Sequence, residues 1–270
     1  MVQDMGMARQ ASPRGAICTG QHSEPERLSL QQMPGQALQG LVFALLISFC
    51  SYRFHLLTIS GAVSQFMLGW TVFGIGGWVW KVPMVVFFLT SSLLSKLKCR
   101  RRKVTPGRSE EDSARNAFQV FANGGIPALL VLWNAFIPYP LLYPAYIGSL
   151  TAATADTWGT ELGIRFGLSP KLVPSFKQVD ARRSGGVTIA GTIGGIAGAS
   201  MVALASLPWH RDGIVPHIGA CIVAGAIGSL ADSLFGATLQ ARYHCVVCGT
   251  ISDNSSHCGR RSDLEGDLTG

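Results

Sequence analysis

The stretch Ala152 to Gly163 reads A-A-T-A-D-T-W-G-T-E-L-G. It closes a long apolar segment, yet it carries Asp156 and Glu161 with Thr154, Thr157 and Thr160 around them. Ionisable groups this close to hydrocarbon are expensive. They face a protein interior or a water-filled cavity, where they bind ions or substrate. On a helix Asp156 and Thr160 are four residues apart and share a face, while Glu161 lies further round, where the helix emerges into water. The pattern suits a divalent cation held by oxygen ligands, a proton relay, or the polar end of an ordinary helix.

Working outward, the whole chain has the composition of a multi-pass membrane protein. Of its 270 residues 48% are hydrophobic and 14% are charged, against about a quarter charged in soluble domains. Mean hydropathy is +0.31. The 32 glycines suit helices that approach closely within a bilayer. The net charge of +7 sits in short loops between apolar segments. That is the mark of cytoplasmic loops and argues against nucleic acid as a partner. The seven cysteines are mostly scattered and give no ground for a disulfide framework.

Residues 1–34 are polar and aperiodic and read as a disordered tail. Residues 35–240 form the transmembrane domain. Its apolar runs are Ala37–Tyr52, Leu56–Trp80, Val82–Leu97, Ile126–Ile137, Leu141–Ala155, Val187–Leu207 and Ile218–Gln240. Lys81 and Pro83 are expected to break the second run from the third, and Pro138 and Pro140 to separate the arms of a hairpin. Residues 241–270 form a polar tail in which Cys245, Cys248 and Cys258 resemble part of a zinc knuckle, with His257 beside them. The fold class is an all-α polytopic membrane bundle of six or seven spans.

Three further features carry chemistry. Arg115, Gln119 and Asn123 repeat every four residues and predict one polar stripe on a helix, the wall of a site. Ser184-Gly185-Gly186 precedes an apolar run, and backbone N–H groups of such a turn at a helix N-terminus bind anions, with Lys177 and the Arg182-Arg183 pair nearby. Asp232, beside Ser233, lies deep in the last apolar run and makes a helix–helix hydrogen bond or, with Asp156, a metal site. If every run spans, loops on one side hold 17 of the 22 Lys and Arg, which makes that side cytoplasmic. Arg115, Asp156, Glu161, Lys177 and the glycine turn all fall there. Carboxylates suited to Mg²⁺, basic side chains and an anion-binding turn are the parts that phosphoryl transfer needs, and the surrounding hydrocarbon suits a lipid-tailed acceptor.

A-D-T-W-G-T-E-L-G, then L-V-P-S-F-K-Q-V and R-S-G-G-V-T-I-A-G-T, then G-S-L-A-D-S-L-F-G-A-T-L-Q, in this order, resemble the integral-membrane family formerly called domain of unknown function 92. S-S-L-L-S-K-L-K and R-N-A-F-Q-V-F-A-N-G-G are similar to it as well, and the resemblance covers roughly Leu41 to Cys258. The family's members include animal transmembrane protein 19 and a plant phytyl-phosphate kinase of vitamin E synthesis. The resemblance implies phosphorylation of a prenyl monophosphate to the diphosphate by a nucleoside triphosphate, CTP or ATP. It implies catalytic roles for Asp156, Glu161 and Lys177, and Mg²⁺ on Asp156 and Asp232. Phosphate and substrate contacts would fall to Arg115, Gln119, Asn123, Ser184, Gly185 and Gly186.

The chain departs from the family in having Arg182-Arg183 where Gly-Thr is usual. It also stops at Gly270, where the family continues into a further span with an Asn-Asn-Asp-type motif. The expectation is therefore either an active kinase of the plasma membrane or chloroplast envelope, or a truncated inactive member. The alternative from another class is a transporter or lipid-handling protein using the same carboxylates for coupling ions. No internal repeat is evident, which favours the enzyme.

Overall fold

The computed structural model describes residues 33–96, 114–166, 170–173, 175–179, 184–209, 213–241, 243–247, 249, 251–252, 256–257 and 260–264. Seven α-helices make up the body: α1 (Met33–Arg53), α2 (Ile59–Trp70), α3 (Trp78–Lys96), α4 (Ala117–Phe136), α5 (Leu142–Phe166), α6 (Ile189–Ser206) and α7 (Ile214–Thr238). The predicted all-α bundle is what forms. Four helices, α1, α3, α6 and α7, are long and apolar enough to cross a membrane by length and composition. α4 has 20 residues and α5 has 25. At 1.5 Å per residue they run about 30 Å and about 37 Å, enough to cross a hydrocarbon core of about 30 Å.

α5 is the most deeply embedded helix although it carries Asp156, Glu161 and Arg165. Tyr146, Ile147, Leu150, Thr151 and Thr154 along it are fully buried. The other helices therefore hide its polarity from lipid, and simple hydropathy does not mark it as a span. Thr154 hydrogen-bonds the Leu150 carbonyl at 2.6 Å, which satisfies its hydroxyl within the helix. α6 runs antiparallel to α5, pairing Gly163 with Thr188 and Gly195 with Ala155. α7 runs parallel to α5, pairing Gly148 with Ala224 and Gly159 with Ser229.

The break between the second and third apolar runs differs from expectation. α2 ends in a π-helical turn, Thr71–Ile75, and the chain bends at Gly76-Gly77. Lys81 and Pro83 lie inside α3. A Cβ on Gly76 would stand 2.6 Å from the Val72 carbonyl, so the bend needs glycine. Pro83 is the sixth residue of α3, past the first turn, in which a missing N–H would cost nothing. Having no N–H, it leaves the Val79 carbonyl without its helical donor, and the Tyr143 hydroxyl donates to that oxygen at 3.3 Å. Tyr146 donates to the next carbonyl, of Trp80, and all three rings pack together.

The segment between α5 and α6 forms a short antiparallel pair, β1 (Lys171–Leu172) with β2 (Gly186–Val187). The tail is folded as well. β3 (Tyr243–His244) pairs with β4 (Ile251–Ser252) and β7 (Asp263–Leu264), and β5 (Ser256–His257) pairs with β6 (Arg260–Arg261). Residues 1–32, the basic loop at 97–113 and the Arg182-Arg183 pair lie outside the described residues.

Candidate functional site

The features expected on one face do meet at one end of the bundle. The link between α1 and α2 bridges to the residue before α4: the Arg115 N–H donates to the Leu56 carbonyl at 3.0 Å, and the Thr58 N–H to the Arg115 carbonyl at 3.1 Å. Lys96 lies over the Phe54 ring at 4.5 Å. Thr58, Asn116 and Thr188 cap α2, α4 and α6 at this same end. The 171–187 hairpin and the end of α7 close it.

Asp156 and Asp232 face each other across the α5–α7 seam in side-chain hydrogen-bond contact. The seam brings them there because it is lined with small residues. A Cβ on Gly225 would sit 2.9 Å from the Ala199 methyl, and one on Gly228 would collide with the Ala152 methyl. On the other side of α5, a Cβ on Gly191 would lie 2.7 Å from the Gly159 carbonyl. The backbones are therefore as close as glycine permits, which fixes the carboxyl pair. Two carboxylates this near cannot both stay ionised without a proton or a cation between them.

Arg115 addresses the Asp156 side of this pair. Its charge interacts with both Glu161 and Asp156. Burial pushes the guanidinium down from the ordinary arginine value, and the two carboxylates act in the opposite sense. Its Nη2 donates to Ser95 Oγ at 3.0 Å, which holds the side chain toward α3 and α5. The backbone bridge to Leu56 and Thr58 needs Gly61, whose place would put any Cβ into the Arg115 carbonyl. Arg115, Asn123, Ser48 and Gln65 also border a void between α1, α2, α3 and α4 that holds about 710 Å³ of unfilled space, counting its mouth.

Two expectations are changed by the geometry. Arg115 precedes α4, so the four-residue repeat is not one helical stripe. Gln119 is exposed and forms a capping box with Asn116, its side chain accepting the Asn116 N–H at 3.1 Å while its own N–H donates to Asn116 Oδ1 at 3.1 Å. The Ser184-Gly185-Gly186 turn is not the N-terminus of α6. Thr188 is the N-cap there, and the turn packs on the last turn of α7, where Gly185 adopts φ +82°. A Cβ on Gly185 would stand 2.6 Å from the Ser233 carbonyl. Lys177 is exposed on the hairpin, and among the described residues its hydrogen bonds are backbone ones, to Leu172 and Ser175.

The site also contains residues that the sequence did not single out. Ser95 holds Arg115, and Gln65 and Ser48 border the void. Gln65 was findable, being an amide in the middle of an apolar run. In the tail, Cys245 is buried, and its carbonyl accepts the Gly249 N–H at 2.9 Å across a tight turn with Gly249 at φ +68°. Cys248 and Cys258 lie outside the described residues, and among the described residues no group of three or more His, Cys, Asp or Glu is placed to hold a metal.

Protein PGR of Arabidopsis thaliana is 30% identical over 237 residues, 77% of this chain and 81% of its own length. An uncharacterised membrane protein of Methanocaldococcus jannaschii is 31% identical over 184 residues, 67% of this chain and 74% of its own length. The chloroplastic protein VTE6 of Arabidopsis thaliana is 26% identical over 195 residues, 68% of this chain but only 56% of its own length. No solved structure matches. The signature described as integral membrane protein DUF92 matches residues 42–267. With helices fit to cross a bilayer and a match over most of its length, the chain belongs to the DUF92 family of integral membrane proteins.

Proposed function

We infer that the chain is a membrane-embedded prenyl-phosphate kinase, which transfers the γ-phosphoryl group of a nucleoside triphosphate to a prenyl monophosphate. A phosphate oxygen of the acceptor forms a bond to the γ-phosphorus, the bond from that phosphorus to the β-bridging oxygen breaks, and the nucleoside diphosphate leaves. The observation that carries this reading is the juxtaposition of Asp156, Asp232 and Arg115 at one end of the bundle, next to a largely apolar void. The resemblance to the plant phytyl-phosphate kinase supports the acceptor class.

The residues present fit Mg²⁺. Two carboxyl groups in contact supply hard oxygen ligands, and Mg²⁺ is commonly held by one or two carboxylates with substrate phosphates and water completing its shell. Asp156 and Asp232 would hold it, and bound there it supplies charge stabilisation for the transferring phosphoryl group. Arg115 binds and orients a phosphate by its planar fork of donors. Ser95 keeps that fork aimed, and the Glu161 charge attracts it. Asp156 is part-buried, which strengthens its interactions over those in bulk water, while Asp232 is the exposed member of the pair.

The test is purified protein in detergent with Mg²⁺, labelled CTP or ATP, and phytyl or geranylgeranyl monophosphate. Label entering a diphosphate, and vanishing on chelation with EDTA and in Asp156→Asn, is the expected result. Absence of transfer with every nucleotide and acceptor would overturn the reading.

A further inference from the structure

The void between α1, α2, α3 and α4 has its polar lining residues at one end, where they lie among the apolar Leu57 and Val120. Arg115 lies at the helix-end level. Ser48 lies five residues before the end of α1, Gln65 six residues after the start of α2, and Asn123 six residues after the start of α4. These are about 8–9 Å in at 1.5 Å per residue. Beyond them the lining is Gly69, Met84 and Phe73. Phe73 comes 14 residues after Ile59, so the void reaches roughly 20 Å from the polar end. Among the described residues, Ser48 Oγ and Gln65 Oε1 are buried with no hydrogen-bond partner, and Ser48 is only 6% exposed. Pro127 has no N–H to return to the Asn123 carbonyl. Buried polar atoms without partners call for an explanation, and here they sit in the end of the void nearest the cation.

We propose that this void is the subsite for the acceptor's hydrocarbon tail, with the acceptor phosphate on Arg115 and a C20 isoprenoid chain running inward to Phe73 and Met84. The inference rests on the kinase reading for the acceptor's head group and chain class, and it adds where the tail lies. An amphiphile matches this lining in one orientation only. Its ionic head, with the water it carries, meets Arg115, Ser48, Gln65 and Asn123, and its chain meets the apolar depth. The depth suits such a chain by bond geometry. An extended chain gains at most about 3.6 Å per three bonds, so a 20 Å depth takes roughly 16 main-chain carbons, the main chain of a C20 isoprenoid. The head then lies on the residue that also faces Asp156 and Glu161.

The experiment uses the full-length protein in phosphatidylcholine nanodiscs and geranylgeranyl monophosphate carrying a diazirine at its tail end. After irradiation, adducts on Phe73 or Met84 are expected. Adducts confined to lipid-facing residues such as Phe43 and Leu89 would overturn the proposal, as would equal labelling of Phe73 and Met84 by phosphatidylcholine with a diazirine at its acyl end. Labelling of the depth without any phosphoryl transfer sinks the kinase reading and keeps the tail subsite. Transfer with adducts only on the lipid face does the reverse. A substitution gives an independent readout. Gly69 faces Ala44 and Phe73, and Gly69→Leu fills the inner end, so the preference for C20 over C10 monophosphate should fall tenfold or more. An unchanged preference in a folded variant counts against the subsite.

Discussion

α5–α7 and α1–α4 are bundles of similar helices packed to different ends. In the first, Gly191, Gly225 and Gly228 let the helices meet until no Cβ would fit. In the second, Gly69 and Gly124 sit beside a void rather than against a neighbouring backbone. Small residues thus serve two purposes in one chain. In α5–α7 they remove space and hold two carboxyl groups in register. In α1–α4, Gly61 and Gly40 are packed as tightly, but Gly69 and Gly124 leave space at the void, and polar atoms stay unpartnered beside it. A site that needs a charge pair placed to a fraction of an ångström and an apolar slot that admits a chain is served by joining the two, with Arg115 at the joint.

The sharpest break of the tight half removes its charge without touching its packing. Asp156→Asn or Asp232→Asn should lower phosphoryl transfer by about a thousandfold, since a lost metal ligand removes several kcal/mol of charge stabilisation. The double variant should be little worse than the weaker single one, because the pair acts as a unit. Initial rates at saturating nucleotide measure this, and additive losses would show that the two aspartates act separately. Next comes Gly228→Val, which overpacks the seam against Ala152. It should cost about 1–3 kcal/mol, visible as a lower thermal midpoint in detergent, and should lower the rate as the carboxyl groups part.

The fold was legible in the sequence because burial in lipid writes itself as long apolar runs, and basic loops orient them. The boundary at Gly76-Gly77 was not, since Lys81 and Pro83 look like breakers until Tyr143 and Tyr146 are seen to serve the nearby carbonyls. Asp156 and Asp232 were legible as costly residues in apolar surroundings, and Arg115 as the start of a polar repeat. Their meeting was hidden, because it depends on which glycines face which helix across 76 residues of chain. Gln119 was misplaced because a repeat of four fits a stripe and a capping box equally well, and the helix start decides between them. Ser95 lay inside the S-S-L-L-S-K-L-K stretch, where nothing set it apart from Ser91 and Ser92.

At the joint, Arg115→Ala should raise the KM for the acceptor by ten- to a hundredfold, in line with about 1.5–3 kcal/mol for a hydrogen bond to a charged group. Ser95→Ala leaves the charge and removes only the contact that aims it, so a rise of about threefold is expected, well below one kcal/mol. If both variants lose equally, Ser95 does more than aim the arginine, and the loose half contributes directly to the chemistry.

The smallest effect separates the two kinds of glycine most cleanly. A Cβ at Gly69 would meet Ala44 Cβ at 3.5 Å and the Phe73 ring at 3.6 Å, ordinary contact distances. Gly69→Ala therefore removes the backbone entropy of glycine in a helix, worth roughly 0.5–1 kcal/mol, at no steric cost, and the thermal midpoint should rise slightly. Gly228→Ala gains the same entropy but drives a methyl into Ala152, so its midpoint should fall. The same substitution then has opposite signs in the two halves. If both variants lose stability alike, the space beside Gly69 is filled when the protein is folded, and the contrast between a closed seam and an open slot does not hold.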